Sequence, residues 1–183
     1  MVGMKIYSLL NRMFLMVFVL FLSGCVSIKP GGVKSGKNLY ETFFAGDDGT
    51  QYFIKPLSFK SQTSNRLIID FTFRYKDQLK DSAFVNMSFL NSELIRNVDS
   101  LKISNGSATI VLINLKSLFN EKIQAEYNSR YSTKGSLSEI NQLFKNNDWT
   151  IKVYKQNIIS NYNTPKDTRK KIDKLRDRIF ILF

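Results

Sequence analysis

The stretch Arg66-Leu67-Ile68-Ile69-Asp70-Phe71-Thr72-Phe73-Arg74-Tyr75 decides the fold class. In an extended chain, Leu67, Ile69, Phe71, Phe73 and Tyr75 share one face, while Asp70, Thr72 and Arg74 take the other. A period of two with one apolar face is the pattern of an antiparallel strand that is wet on one side.

Working outward, the same period returns. Val85, Met87 and Phe89 alternate with Asn86 and Ser88 in 83–90. Ile123, Ala125, Tyr127, Ser129 and Tyr131 alternate with Gln124, Glu126, Asn128 and Arg130, and Trp149, Ile151 and Val153 with Thr150, Lys152 and Tyr154. Ala108-Thr109-Ile110-Val111-Leu112-Ile113 is apolar on both faces, which predicts a central strand or one covered by a helix. Asn105-Gly106 between two such runs predicts a two-residue hairpin with φ > 0 at both positions. Gly46-Asp47-Asp48-Gly49 predicts another hairpin. The Asp pair there reads as turn chemistry, since the twelve-residue calcium loop pattern is missing.

Two segments carry helical spacing. Ser136-Leu137-Ser138-Glu139 is a capping box followed by Leu137, Ile140, Leu143 and Phe144. The second runs from Thr164, a candidate N-cap, with Pro165 at the first helical position and Ile172, Leu175, Ile179 and Leu182 as an apolar stripe. Phe180-Ile181-Leu182-Phe183 could instead close the sheet as a strand. The expectation is a mainly β chain: an antiparallel β-sandwich or barrel-like sheet of about eight strands with two short helices, 136–146 and 165–180. It occupies one domain, 39–183.

The chain has 183 residues, 27 Lys+Arg against 15 Asp+Glu, one Cys and no His. Without His there is no Ser-His-Asp triad, no Cys-His pair and no imidazole ligand or base. A single Cys forms neither an internal disulfide nor a structural zinc site. No cofactor is expected.

Lys5 and Arg12 precede Met13-Phe14-Leu15-Met16-Val17-Phe18-Val19-Leu20-Phe21-Leu22, an unbroken apolar run too short to span a bilayer as a helix. A basic segment before such a run is the layout of a secretory signal peptide. The run closes on Leu22-Ser23-Gly24-Cys25, which resembles the lipobox of bacterial lipoproteins. The resemblance covers residues 1–25 and implies a signal peptide over 1–24. Leu22, Ser23 and Gly24 would be recognised by the signal peptidase, and the Cys25 thiol would carry diacylglycerol after cleavage. Each buried CH₂ of such acyl chains contributes about 0.8 kcal/mol, so two or three chains hold firmly. Loss of Lys5 and Arg12 lowers the formal charge from +12 to +10. Val26 is not the Asp that favours inner-membrane retention, so the implied location is the outer membrane facing the periplasm, with the cell surface as the alternative. Residues 26–38, rich in Gly, Ser and Lys, read as a flexible tether with a reach of roughly 20 Å.

Residues 164–183 concentrate the charge: Lys166, Arg169, Lys170, Lys171, Lys174, Arg176 and Arg178 against Asp167, Asp173 and Asp177. These seven bases are candidate contacts for an anionic surface. The competing reading is a solvated helix docked by Ile172, Leu175 and Ile179, with Asp167–Lys171 and Arg169–Asp173 as i,i+4 pairs. Nucleic acid is not an expected partner, because the bases elsewhere are dispersed and Phe71 and Phe73 follow a strand's inward face. The expected partners are the membrane, through acyl chains on Cys25, and an envelope protein or anionic polymer.

Three functional readings follow. The first is a lipid-anchored cell-envelope lipoprotein with a non-enzymatic binding or envelope-maintenance domain. The second is a carrier of a small molecule or lipid inside a lipocalin-like barrel. The third is a hydrolase using carboxylates such as Asp70 and Glu126, which needs two acids about 5–10 Å apart in a cleft.

Overall fold

The computed structural model describes residues 39–76 and 82–183. Strands β1 (Tyr40–Phe44), β2 (Thr50–Lys60), β3 (Arg66–Tyr75), β4 (Ser82–Asn91), β5 (Ser100–Ser104), β6 (Thr109–Leu112), β7 (Lys116–Ile123) and β8 (Glu126–Ser136) lead into helix α1 (Leu137–Phe144). Then come β9 (Thr150–Lys155), β10 (Ile158–Asn163) and helix α2 (Lys166–Arg178). All strand pairing is antiparallel, in the order β6-β5-β9-β10-β2-β3-β4-β8-β7, with β1 also against β2. The described residues thus form a mainly β domain, one curled half-barrel sheet with two helices.

The curl has a local cause in β2. Pro56 has no N–H to give to a ladder, and the β2–β3 register slips between Ile54 and Leu57. The sheet is thinnest between β2 and β10, which share the single pair Lys60–Asn163. Ser61, Thr63, Asn65, Ser160 and Asn161 line an open polar notch of about 260 Å³ there. At the far side the curl brings β6 against β8 through a side chain: the Thr133 hydroxyl donates to the Ile113 carbonyl at 2.7 Å.

The concave face is filled. Leu67, Ile69, Phe71 and Phe73 of β3, Val85, Met87 and Phe89 of β4, and Ile151 and Val153 of β9 are buried, as their alternation predicts. Leu137, Ile140, Leu143 and Phe144 of α1 pack into the same core with Ile172 and Leu175 of α2 and the following Ile179. Trp149 stands among Phe59, Phe71 and Phe144, with ring centroids 6.0, 6.3 and 4.9 Å away. Its indole N–H donates to the Leu143 and Asn146 carbonyls at 3.0 and 2.7 Å. The polar edge of the ring is thereby satisfied where burial would otherwise be costly.

Gly49 shows why this sequence turns where it does. Its φ is +86°, and a Cβ there would stand 2.4 Å from the Tyr75 carbonyl oxygen. The hairpin at Asn105-Gly106 forms, but with four loop residues. Ser104 pairs with Thr109, and only Gly106 in the turn has positive φ. Asn105 is spent differently. Its carboxamide oxygen accepts from the Ser107 and Ala108 N–H groups at 3.0 and 2.7 Å, and its amide donates to Gln142 and Leu143 carbonyls at 2.9 Å. One buried side chain thus closes the turn and caps the end of α1.

The expected mainly β antiparallel sheet with two helices is present, with ten strands among the described residues. Finer expectations need correction. The alternation over 123–131 is broken: Gln124 has φ 56°, and a hairpin joins β7 to β8 where one strand was expected. The Ala108–Ile113 segment is at the end of the strand order, not its centre; Ile110 and Leu112 are buried while Val111 and Ile113 face water. Thr164 does not cap α2. Its hydroxyl donates to the Trp149 carbonyl at 2.6 Å and accepts from the Trp149 N–H at 2.8 Å, locking two chain segments together. Ser136 does cap α1, accepting from the Glu139 N–H at 3.4 Å. Phe180–Leu182 form a 3₁₀ turn, and Leu182 faces water instead of extending the buried stripe.

Candidate interaction surface

The outer face of β3, β4 and β8 holds a linked polar group. Asp70 accepts from Arg130 and from the Asn86 amide, both at 2.8 Å, and Arg130 also donates to the Ser88 hydroxyl at 2.8 Å. Glu126 is bound by Arg66 at 2.7 Å. Both carboxylates named as candidate acids are therefore held by guanidinium groups, and the sheet does not set them as a pair across a cleft. They tie β3 to β8 across the intervening β4. Burial raises the pKa of Tyr162 above the ordinary phenol range. It does the same for Tyr131, partly offset by the Asn97 backbone and the Arg96 charge. In Tyr52, burial acts with Tyr40 and Tyr75. These phenols stay neutral as packing groups.

β7 is the exception in the sheet. Every residue from Lys116 to Ile123 is exposed, including Leu118, Phe119 and Ile123. Among the described residues only one of its edges is paired, to β8, and the other presents backbone N–H and C=O groups with no strand partner there. The register slips between Ser117 and Phe119, making Leu118 a bulge residue. Beside it an open groove of about 520 Å³ is lined by Phe84, Ile113, Lys116, Leu118 and Lys134, among others. Lys134 lies over the Phe84 ring at 5.2 Å. The groove therefore joins an apolar floor to two cations. Nothing in Lys-Ser-Leu-Phe-Asn-Glu-Lys-Ile alternates, and the Gln124-Ala125 turn lacks Gly or Asn. The one available signal was Leu118-Phe119 standing between charged residues.

The seven bases of the last helix divide. Arg169 pairs with Asp148 at 2.8 Å, and Arg176 with Asp173 and Asp177 at 2.9 and 3.0 Å. These replace the Asp167–Lys171 and Arg169–Asp173 pairs expected from spacing, because Asp148 at the approach to β9 reaches Arg169. Lys166, Lys170, Lys171, Lys174 and Arg178 make no ion pair with an acid among the described residues. Leu22, Ser23, Gly24 and Cys25 lie outside the described residues, as does the tether. Among the described residues no helix is long and apolar enough to cross a membrane. No family model, curated protein or solved structure matches this chain.

Proposed function

We propose that the chain is a lipid-anchored cell-envelope lipoprotein, held at the outer membrane facing the periplasm, whose 39–183 domain acts by binding and not by catalysis. The observation that carries the anchor is the single Cys, placed where a ten-residue apolar run ends on Leu22-Ser23-Gly24-Cys25. The observation that favours binding is β7, an exposed strand edge beside an apolar groove with Lys116 and Lys134. The partner that suits this chemistry is an extended segment of another envelope protein. It would add to the β7 edge by main-chain hydrogen bonds, with an apolar side chain in the groove and acidic residues facing the two lysines. The carrier reading is weaker, since aromatic and aliphatic side chains of α1, α2 and Trp149 occupy the concave face.

Metabolic labelling with a fatty acid tests the anchor. Wild type takes up label, and Cys25→Ala loses both the label and its partition into membranes; a Cys25→Ala variant that keeps both would overturn the anchor. For the partner, a photo-crosslinker at Phe119 is expected to capture an acid-bearing segment, mapped by mass spectrometry, and Lys116→Glu with Lys134→Glu should abolish the capture. Equal capture from a crosslinker at Val111, or capture indifferent to the reversals, would sink the β7 assignment.

A further inference from the structure

The unpaired bases of α2 are arranged, not scattered. Lys166, Lys170, Lys174 and Arg178 recur every fourth residue and are all exposed, opposite the buried Thr168, Ile172 and Leu175. At 1.5 Å per residue they form a row about 18 Å long. Lys171 flanks it. Asp167 and Asp177 share this side, but Asp177 is bound by Arg176, so the row stays strongly positive.

The row runs toward an apolar rim. After α2, Phe180 stacks on Phe144 at 3.7 Å and Phe183 packs on Tyr75 at 4.3 Å, while Ile181 and Leu182 between them are 70% and 63% exposed. Phe44 is 72% exposed and reaches the same rim: it lies opposite Thr50, which lies opposite Tyr75. A cationic row ending in three exposed apolar side chains has the composition of an interfacial lipid contact, in which bases meet headgroups and apolar tips enter the acyl boundary.

We propose that α2 and this rim dock on the anionic lipid surface of the membrane that holds Cys25, fixing the orientation of the domain. Charge complementarity selects an anionic surface. Chain length allows it: thirteen residues separate Cys25 from Leu39, so at full extension the acylated residue is at most about 50 Å from the start of β1. The inference rests on the acylation of Cys25, which is measured separately below.

The acylated protein is purified in detergent and its intact mass shows whether Cys25 carries acyl chains. An Ile181→Cys variant then offers one reactive thiol, because an acylated Cys25 has none, and this thiol takes a polarity-sensitive fluorophore. Reconstituted into vesicles of phosphatidylcholine with phosphatidylglycerol, the label should shift to the blue; in phosphatidylcholine alone it should report water. A label at Val111→Cys should report water in both. Reversing the row (K166E, K170E, K174E, R178E) should lower the membrane-contacting fraction by at least about tenfold. Where the reversed chain fails to fold, 1 M salt on the unreversed one gives the same reading, since screening at about 3 Å removes the attraction. Emission that is equal in both vesicle types, or indifferent to both charge reversal and salt, overturns the proposal while leaving the acylation result standing.

Discussion

β6 and β7 stand at the two ends of one strand order, and along the chain only Ile113, Asn114 and Leu115 lie between them. Their surroundings are opposite. β6 is four residues long, alternates exposed and buried, packs beside α1, and is fastened to β8 just past its end, where Thr133 bonds the Ile113 carbonyl. β7 is eight residues long, exposed throughout, and has one edge with no strand partner among the described residues. Two edge strands close in sequence therefore differ: one packs its buried face beside the fold's own helix, while the other is left uncovered and only bulged. Covering β6 completes the core. An uncovered β7 adds little to it, which makes this strand the natural place for something outside the domain.

The contrast breaks most visibly at its buried side. Trp149→Ala removes the ring that joins Phe59, Phe71 and Phe144 and takes the indole donor from the Leu143 and Asn146 carbonyls, of which Leu143 keeps the Asn105 amide. Large aromatic truncations in cores cost about 3–5 kcal/mol, against an ordinary domain stability of about 5–15 kcal/mol. Urea unfolding followed by far-ultraviolet circular dichroism should show the midpoint fall sharply; a loss under about 1 kcal/mol would mean that Trp149 does not join helix to sheet. Asn105→Ala comes next. It strips partners from two helix carbonyls and two turn N–H groups at the end of β5, next to β6, with an expected cost of about 2–3 kcal/mol. Amide exchange should quicken in β5, β6 and the end of α1 together. Exchange confined to the turn would separate the hairpin from the helix.

What could be read from residues alone follows burial. β3, β4 and β9 alternate because one face of each meets the core, and α1 announces itself because Ser136 caps it and four apolar side chains enter the same interior. β7 and β10 lack that imprint. β7 buries neither face, and Ile158-Ile159 of β10 are exposed, so no alternation marks them. Their turns, Gln124-Ala125 and Gln156-Asn157, place Gln in the left-handed region without a Gly to signal it. The edge position of β6 is a different failure. Its two-sided apolarity reads as a central strand or one covered by a helix; the helix α1 does pack beside it, but Ile110 and Leu112 alone meet the core, and its closure onto β8 depends on a contact between residues twenty apart, Ile113 and Thr133. The basic row of α2 was visible as charge. Which bases would be consumed by Asp148, Asp173 and Asp177 was not, because Asp148 belongs to another segment.

The smallest expected effect on stability is the most instructive for the contrast. Leu118→Ser removes an apolar side chain that is already half in water and touches no buried residue's hydrogen bonds, so unfolding should change by less than about 0.5 kcal/mol. The same substitution takes the apolar wall from the groove beside Lys116 and Lys134. If β7 serves a partner, capture by a crosslinker at Phe119 should fall several-fold while the urea midpoint stays where it was. A matched change in β6 behaves in the reverse sense: Leu112 is buried against Gly135, where even an added Cβ would be 3.1 Å from its side chain. Leu112→Ser should therefore destabilise by about 2–4 kcal/mol. Should Leu118→Ser instead cost as much as Leu112→Ser, β7 would be part of the core in solution, and its exposed edge could no longer be assigned to binding.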